Sequence, residues 1–211
     1  MRVRKSLERK TGFRDGRMII IATEGSVTEV SYFTQLNDAA ILSSNKFQIK
    51  VIPPENNRSS PNHVFKSLIN FKREYQIKGN DELWMVIDRD RWTVQMLSDI
   101  ISQCKQKDIG LCISNPCFEI WLILHYEDLS KISSEILDKL LINKKVNGRT
   151  ESKRYISELM GNKNLNDFTS LFPNLNLAIK NAKLLSVAQN FNIVDHLGSD
   201  VHFIFDQKIL Y

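Results

Sequence analysis

The chain has 211 residues, of which 42% are hydrophobic, and a formal net charge of +5. This length fits one ordinary domain with a substantial core. No apolar run approaches the roughly 20 residues of a membrane span, and no signal-peptide segment follows the basic start, so we expect a cytoplasmic protein without a membrane partner. The three cysteines form no CxxC pair, which argues against a disulfide framework or structural zinc and predicts buried thiols.

Residues 1–17 form a basic arm. They carry seven basic and two acidic side chains, so the whole net charge of +5 lies in this segment. Such an arm could hold nucleic-acid phosphates, or it could be a solvated terminus. We treat 1–17 as an arm and 18–211 as one domain, with a core at about 18–127 and a helical extension at about 128–211.

Hydrophobic runs alternate with helical patterns through the first half of the chain. Strands are predicted at 18–23, 47–52, 83–88 and 109–114, and helices at 28–40, 61–78 and 93–107. Ser60-Pro61 and Asn115-Pro116 indicate helix starts, because proline suits the first helical position. This order predicts an α/β fold with a parallel sheet and flanking helices. From residue 117 onward the pattern is mostly helical, with candidates at 117–126, 130–143, 151–160 and 175–190.

Carboxylates follow two of the predicted strands. Glu24 ends the first strand, and Asp88 and Asp90 end the third in the sequence Asp-Arg-Asp. Ligands bind at the carboxyl ends of parallel strands, and carboxylates there suit one or two Mg²⁺ or Mn²⁺ ions. The three acids can converge only if their two strands are neighbours. We therefore predict a metal site, with Glu24, Asp88 and Asp90 as catalytic residues.

Two further acids and a glycine lie near this predicted edge. Gly25 allows the backbone to leave the first strand sharply and to approach a phosphate closely. Glu29 and Glu119 fall in the first turns of predicted helices, where each is either a further metal ligand or an acid that stabilises the helix N-terminus. His125 lies roughly 9 Å along the helix from Glu119, a separation that favours a structural histidine over a shared metal ligand.

Substrate contacts are predicted at three other polar positions. Arg58 lies in the loop 53–60, Arg91 follows the second acid of the Asp-Arg-Asp motif, and Asn115 ends the fourth strand. Each could bind a phosphate or substrate group at the edge that carries the acids. The alternatives stay open, because the loop has the composition of an ordinary surface connection and Arg91 could simply neutralise the acids.

The combination of these motifs resembles the Toprim fold of topoisomerases, primases and overcoming-lysogenization-defect nucleases. An Asp-x-Asp motif also occurs in haloacid-dehalogenase-type phosphatases. That pattern, however, requires Thr or Val at the position of Trp92 and lies on the first strand of its domain. The segments IIIATEGSVTEVSYFTQL, LWMVIDRDRW and ISNPCFEIWLILHY are similar to the RloB family, a Toprim-like group that includes AbiLii-type abortive-infection proteins.

The resemblance covers about residues 15–210 and implies a phage-defence protein that works with an ATPase partner. It also implies a metal-dependent nuclease core, in which Glu24, Asp88 and Asp90 match the Toprim acids. Three hypotheses follow: a nuclease acting on RNA or DNA, a noncatalytic module that binds nucleic acid or a partner, and nucleotidyl transfer of the primase kind. The oligomeric state, including a homo-oligomer, stays open.

Overall fold

A five-stranded sheet lies at the centre of the fold, which we describe from a computed structural model. The structure describes residues 4–8, 16–39, 47–54, 60–89, 91–161, 166–190 and 192–205. The strands of the sheet are β1 (Arg17–Thr23), β2 (Phe47–Ile52), β3 (Glu82–Asp88), β4 (Gly110–Asn115) and, numbered last in the chain, β7 (Gly198–Ser199). Their order is β2-β1-β3-β4-β7, with β7 antiparallel and the other pairings parallel. The predicted α/β class and parallel sheet are confirmed.

Helices cover both faces of this sheet. They are α1 (Thr28–Asp38), α2 (Pro61–Glu74), α3 (Val94–Lys107), α4 (Glu119–Ile123), α5 (Ser134–Ile142), α6 (Glu151–Leu159) and α7 (Leu175–Ala188). Short 3₁₀ helices lie at Leu129–Lys131, Phe172–Asn174 and Asp200–Phe205, and β5 (Lys145–Val146) pairs with β6 (Arg149–Thr150) in a separate hairpin. The second half of the chain is thus mostly helical, as predicted.

Strand alternation divides the core into two layers. In β1, Ile19 and Ile21 face one hydrophobic cluster, while Met18, Ile20 and Ala22 face the other. The first cluster includes side chains of α1, α4, α6 and α7, and the second includes those of α2 and α3. Successive side chains of a strand point to opposite faces, so a continuous apolar run in β1 is what a sheet buried on both sides requires.

Several predicted helices are shorter in the structure, including 117–126 and 130–143, and contacts explain two of the differences. The helix after Ser60 begins at Pro61 as predicted but ends at Glu74, because the next backbone groups pair with the N-terminal segment. The N–H of Lys5 donates to the carbonyl of Glu74, and the N–H of Gln76 donates to the carbonyl of Lys5. The described part of the basic arm therefore contacts the fold through its backbone.

The second difference concerns Asn115-Pro116, which does not start a helix. A cis peptide bond joins the two residues, and α4 begins only at Glu119. The side chain of Asn115 donates to the carbonyls of Ile193 and Val194, at 3.0 and 3.2 Å, so it is not a helix cap.

The predicted burial of the cysteine thiols is confirmed, since Cys104, Cys112 and Cys117 are all buried and free. None of the helices in the described ranges has the length and hydropathy of a membrane span.

Candidate functional site

The pairing of β1 with β3 brings two of the predicted acids together. Thr23 pairs with Val86, and the N–H of Glu24 donates to the carbonyl of Val86 at 3.0 Å. The backbone N–H of Asp88 in turn donates to Oε2 of Glu24 at 3.2 Å. Because the two strands are parallel neighbours, both acids lie at the carboxyl edge of the sheet, as their predicted convergence requires.

Trp92 also contacts Glu24, a contact that the sequence analysis did not predict. Its indole Nε1–H lies 3.2 Å from Oε1 and 3.1 Å from Oε2 of Glu24. Glu24 is only 7% exposed, so a charged carboxylate at this position needs such donors. Trp92 thus fixes the orientation of Glu24. The only signal in the sequence was its position four residues after Asp88.

Asp88 connects the edge of the sheet to the start of α4. Its Oδ1 accepts a hydrogen bond from the backbone N–H of Phe118 at 2.9 Å. Phe118 is the residue that precedes the first turn of α4, and Asp88 pairs in register with Ser114 of the neighbouring strand β4. The half-buried carboxylate at the end of β3 is therefore held by the backbone at the start of α4, while strand pairing fixes the Asp88 backbone.

Gly25 and Glu29 form a second contact beside the first strand. The N–H of Gly25 donates to Oε1 of Glu29 at 3.1 Å. A Cβ atom at position 25 would overlap the Glu29 carboxylate. Only glycine fits here while the Glu29 side chain stays in its observed position. Gly25 thus accommodates a carboxylate in the structure, and its predicted contact with a phosphate stays a prediction.

Glu29 and Glu119 are buried acids on neighbouring helices, 5% and 7% exposed. Burial raises the pKa of the Glu29 carboxyl and the charge of Glu119 raises it further, whereas backbone hydrogen bonds and the charge of Lys153 lower it. Lys153 Nζ lies 3.6 Å from Oε1 of Glu119. A buried carboxylate requires a partner, and Glu119 has one in Lys153, a half-exposed residue of α6.

Arg89 has a structural part at this edge. Its Nε donates to the carbonyl of Val194 at 2.8 Å and its Nη1 to the carbonyl of Trp92 at 2.6 Å. Asn115 donates to the same segment, through the carbonyl of Val194. Both side chains therefore hold the segment before β7 against the ends of β3 and β4. Asn115 thus lies near the acids, and its predicted contact with a substrate stays a prediction.

The structure describes only some of the remaining residues that were predicted to contact a substrate or a metal. Arg91 is exposed. Arg58 and Asp90 lie outside the described residues. Of the predicted site, the structure thus brings Glu24, Asp88, Gly25 and Asn115 to one edge of the sheet, with Glu29 in contact with Gly25.

The donor set fits a hard divalent cation. Glu24 and Asp88 offer carboxylate oxygens, and Mg²⁺ is commonly bound through one or two carboxylates together with waters and substrate phosphates. The described residues contain no group of three or more His, Cys, Asp or Glu side chains that could hold a metal. Glu24 and Asp88 are the predicted ligands that the structure describes at the ends of β1 and β3, and metal binding by them stays a prediction.

A cleft of about 480 Å³ opens beside the edge that carries the acids. Arg89, Asn115 and Pro116 line one side, and Asn143 and Thr150, from the two ends of the β5–β6 hairpin, line the other. One lining residue, Arg89, directly follows Asp88 at the end of β3.

The family model for RloB-like protein matches residues 19–206 of the chain. Searches of curated proteins and of solved structures gave no significant match. The matched range covers β1 to the last 3₁₀ helix, including the ends of β1 and β3 and all of the helical second half. Such a family suggests a role in defence. The chain belongs to the RloB family.

Proposed function

We propose that this protein cleaves phosphodiester bonds of RNA or DNA at the edge that carries Glu24 and Asp88, with Mg²⁺ or Mn²⁺ as cofactor. The observation that supports this most directly is the hydrogen bond from Asp88 N to Glu24 Oε2, 3.2 Å long, across neighbouring parallel strands. The carboxyl edge of a parallel sheet is where α/β proteins commonly bind ligands, which supports a site at these two carboxylates. As a defence effector of the RloB family, the protein would act with an ATPase partner.

The residues at this edge have separate tasks in the proposed reaction. Glu24 and Asp88, together with Asp90, would hold the cation, which supplies charge stabilisation for the phosphate oxygens and a more acidic water. Trp92 and the N–H of Phe118 keep the two carboxylates in fixed orientations. Fixed ligands matter because displacement of a reacting group by about 1 Å can cost about a hundredfold in rate.

The proposal is tested by a cleavage assay with purified protein, alone and with its ATPase partner, on a panel of labelled RNA and DNA. We expect cleavage with Mg²⁺ or Mn²⁺ and none with EDTA. Glu24→Gln and Asp88→Asn should each lower the rate by at least about a hundredfold, because each removes an anionic ligand while keeping the shape of the side chain.

Asp99→Asn is the matched control, since Asp99 is an exposed acid of α3 that pairs with Gln95. It should cleave at the rate of the unchanged protein. The melting temperatures of all three variants should lie close to that of the unchanged protein. Cleavage that persists in both Glu24→Gln and Asp88→Asn would overturn the proposed site.

A noncatalytic module is the second candidate function. The observation that favours it is that both oxygens of Glu24 already accept the indole N–H of Trp92, and Oε2 also accepts the N–H of Asp88. In that case the protein would bind nucleic acid or its partner without cutting. Two results together would select this function. Glu24→Gln would bind nucleic acid or the partner as the unchanged protein does, and no substrate of the panel would be cleaved with the partner present.

A further inference from the structure

The β5–β6 hairpin projects from the protein as an exposed ribbon. Lys145 pairs with Thr150 and Val146 with Arg149, and every side chain from Lys144 to Arg149 is exposed. Asn147 and Gly148, at the turn, have φ values of 51° and 83°. Positive φ at both central residues is the requirement of a tight type I′ turn, which Asn-Gly satisfies well. A ribbon of this kind is well defined by its turn and contributes little to the core.

The charge of the hairpin has one sign. It carries Lys144, Lys145 and Arg149 and no acid between Asn143 and Thr150. Opposed residues of an antiparallel pair share a face, so Lys145 and Arg149 extend from opposite faces of the ribbon. Within the described ranges, no ion pair joins these three cations to an acid. Like charges held close together repel one another, and a polyanion relieves that repulsion.

The base of the hairpin is fixed to the segment that contacts Asp88. Asn143 Nδ2 lies 3.3 Å from Sγ of Cys117, and Oδ1 of Asn143 accepts the N–H of Ser152 at 2.9 Å. Asn143 therefore ties both ends of the hairpin together and to Cys117. The next residue, Phe118, donates its N–H to Asp88. This series of contacts sets the position of the ribbon relative to the carboxylates.

The cleft lies between the hairpin and the carboxylate edge. Thr150 and Asn143 form its wall on the hairpin side, and Arg89 forms its wall beside Asp88. Lys145 shares its face of the ribbon with Thr150, which lines the cleft, so a chain bound at Lys145 would lie beside the cleft that reaches Arg89. Phosphates repeat along a nucleic acid at the spacing of its nucleotides, so adjacent cations on a short ribbon can each neutralise one.

We infer that the β5–β6 hairpin binds the phosphate backbone of a nucleic acid and guides it to Glu24 and Asp88. The inference rests on the proposed function for the class of substrate, and it adds the element that binds it. The contacts are electrostatic and independent of sequence, so RNA and DNA share the chemistry. Because the cations leave both faces of the ribbon, the hairpin can contact phosphates on either side of it.

The test is equilibrium binding measured by fluorescence anisotropy in EDTA, with the full chain and labelled single-stranded RNA, single-stranded DNA and duplex DNA. Salt is varied between 50 and 200 mM, a range over which phosphate contacts weaken steeply. Lys145→Ala/Arg149→Ala should raise Kd at least about tenfold and should lower the slope of log K against log salt by about one to two. The three nucleic acids separate RNA from DNA.

Lys105→Ala/Lys107→Ala is the matched control, because it removes the same charge. Both lysines lie in the last turn of α3, which ends just before the start of β4 and thus at the opposite edge of the sheet. Its Kd should stay within about twofold of the unchanged protein. Equal Kd values for the two double variants would overturn the inference, as would an unchanged protein that binds none of the three nucleic acids.

Two measurements keep this result separate from the proposed function. Binding in EDTA requires no cleavage, so loss of the proposed reaction leaves the hairpin result interpretable. Vesicles of phosphatidylserine and phosphatidylcholine form a second arm. Hairpin-dependent binding to vesicles without binding to nucleic acid would assign the ribbon to a membrane surface and would contradict the inference.

Discussion

The indole N–H of Trp92 lies within 3.2 Å of both carboxylate oxygens of Glu24, although 68 residues separate them in the chain. Glu24 ends β1, and Trp92 follows the turn after β3, so the contact exists only because these strands are neighbours. This shared donor and the N–H of Asp88, which donates to Oε2, together hold the carboxylate in one orientation. Trp92 is therefore a positioning residue for the proposed site.

Trp92→Phe should lower kcat for cleavage about tenfold or more and should leave KM within about twofold. A hydrogen bond to a charged group contributes about 1.5–3 kcal/mol, and 1.4 kcal/mol corresponds to a factor of ten in rate. KM should stay nearly unchanged because the indole orients a carboxylate and does not itself bind substrate. Steady-state cleavage kinetics give both constants.

Trp84→Phe is a close control, since Trp84 Nε1 also donates to a carboxylate, Oε2 of Glu82, at 3.0 Å. That pair lies at the start of β3, away from the candidate site. It should leave kcat nearly unchanged. A rise in KM at constant kcat for Trp92→Phe, or equal losses in both variants, would argue against a positioning role.

The core strands could be predicted from the sequence because their signals are local. The apolar runs of β1 and β3 end at acids, and the predicted boundaries agree with the structure to within one residue at each end. The Asn-Gly turn at residues 147–148 is an equally local signal and is typical of a hairpin. Two-residue strands such as β7 carry no periodic pattern of their own, so only the tertiary structure defines them.

The contacts of the site depended on strand pairing and could not be predicted in the same way. Asn115 looked like a helix cap, but its amide is used by the carbonyls of Ile193 and Val194, nearly eighty residues away. Trp92 could be placed beside Glu24 only after the neighbours of β3 were known. Long-range hydrogen bonds of this kind override local propensity, and nothing in the local sequence encodes them.

Gly25→Ala should lower the free energy of unfolding by about 1–3 kcal/mol. The new methyl group would overlap the Glu29 carboxylate. This buried acid would have to move and would lose the hydrogen bond from the N–H of Gly25. Urea denaturation measures the change. Gly79→Ala is the control, because no atom lies within 4 Å of a Cβ built at Gly79.

A double-mutant cycle identifies the cause of this loss. On a Glu29→Ala background the carboxylate is gone, so Gly25→Ala should cost less than about 0.5 kcal/mol. An equal cost of Gly25→Ala with and without Glu29 would mean that the backbone at position 25, rather than the contact with Glu29, requires glycine.

His125 should make the stability of the protein depend on pH. Its Nδ1 lies 2.9 Å from the carbonyl of Trp121, which can only accept, so Nδ1 carries the proton and Nε2 accepts from the hydroxyl of Tyr32 at 3.1 Å. The predicted structural role is thus confirmed. Burial lowers the pKa of His125 to about 4. A neutral imidazole is therefore part of the folded state.

Because the pKa of His125 is lower in the folded state than the ordinary value of 6.5, the unfolded chain binds more protons between these two pH values. Its contribution is fully present above pH 6.5 and is lost as the pH falls toward about 4, by on the order of 3 kcal/mol. Burial raises the pKa of Asp200 to about 6, which acts in the opposite direction over much of the same range. The wild-type curve alone therefore cannot isolate the histidine.

The measurement is urea unfolding of the wild type and of His125→Gln at several pH values between 4 and 7.5. Glutamine keeps one donor and one acceptor but does not titrate, so the variant should be the less stable protein at pH 7.5 and the difference should narrow by about 2–3 kcal/mol toward pH 4. His63→Gln, at an exposed position of α2, controls for the loss of an imidazole elsewhere. A difference that stays constant across the whole pH range would show that His125 is not kept neutral by its burial against Tyr32 and Trp121.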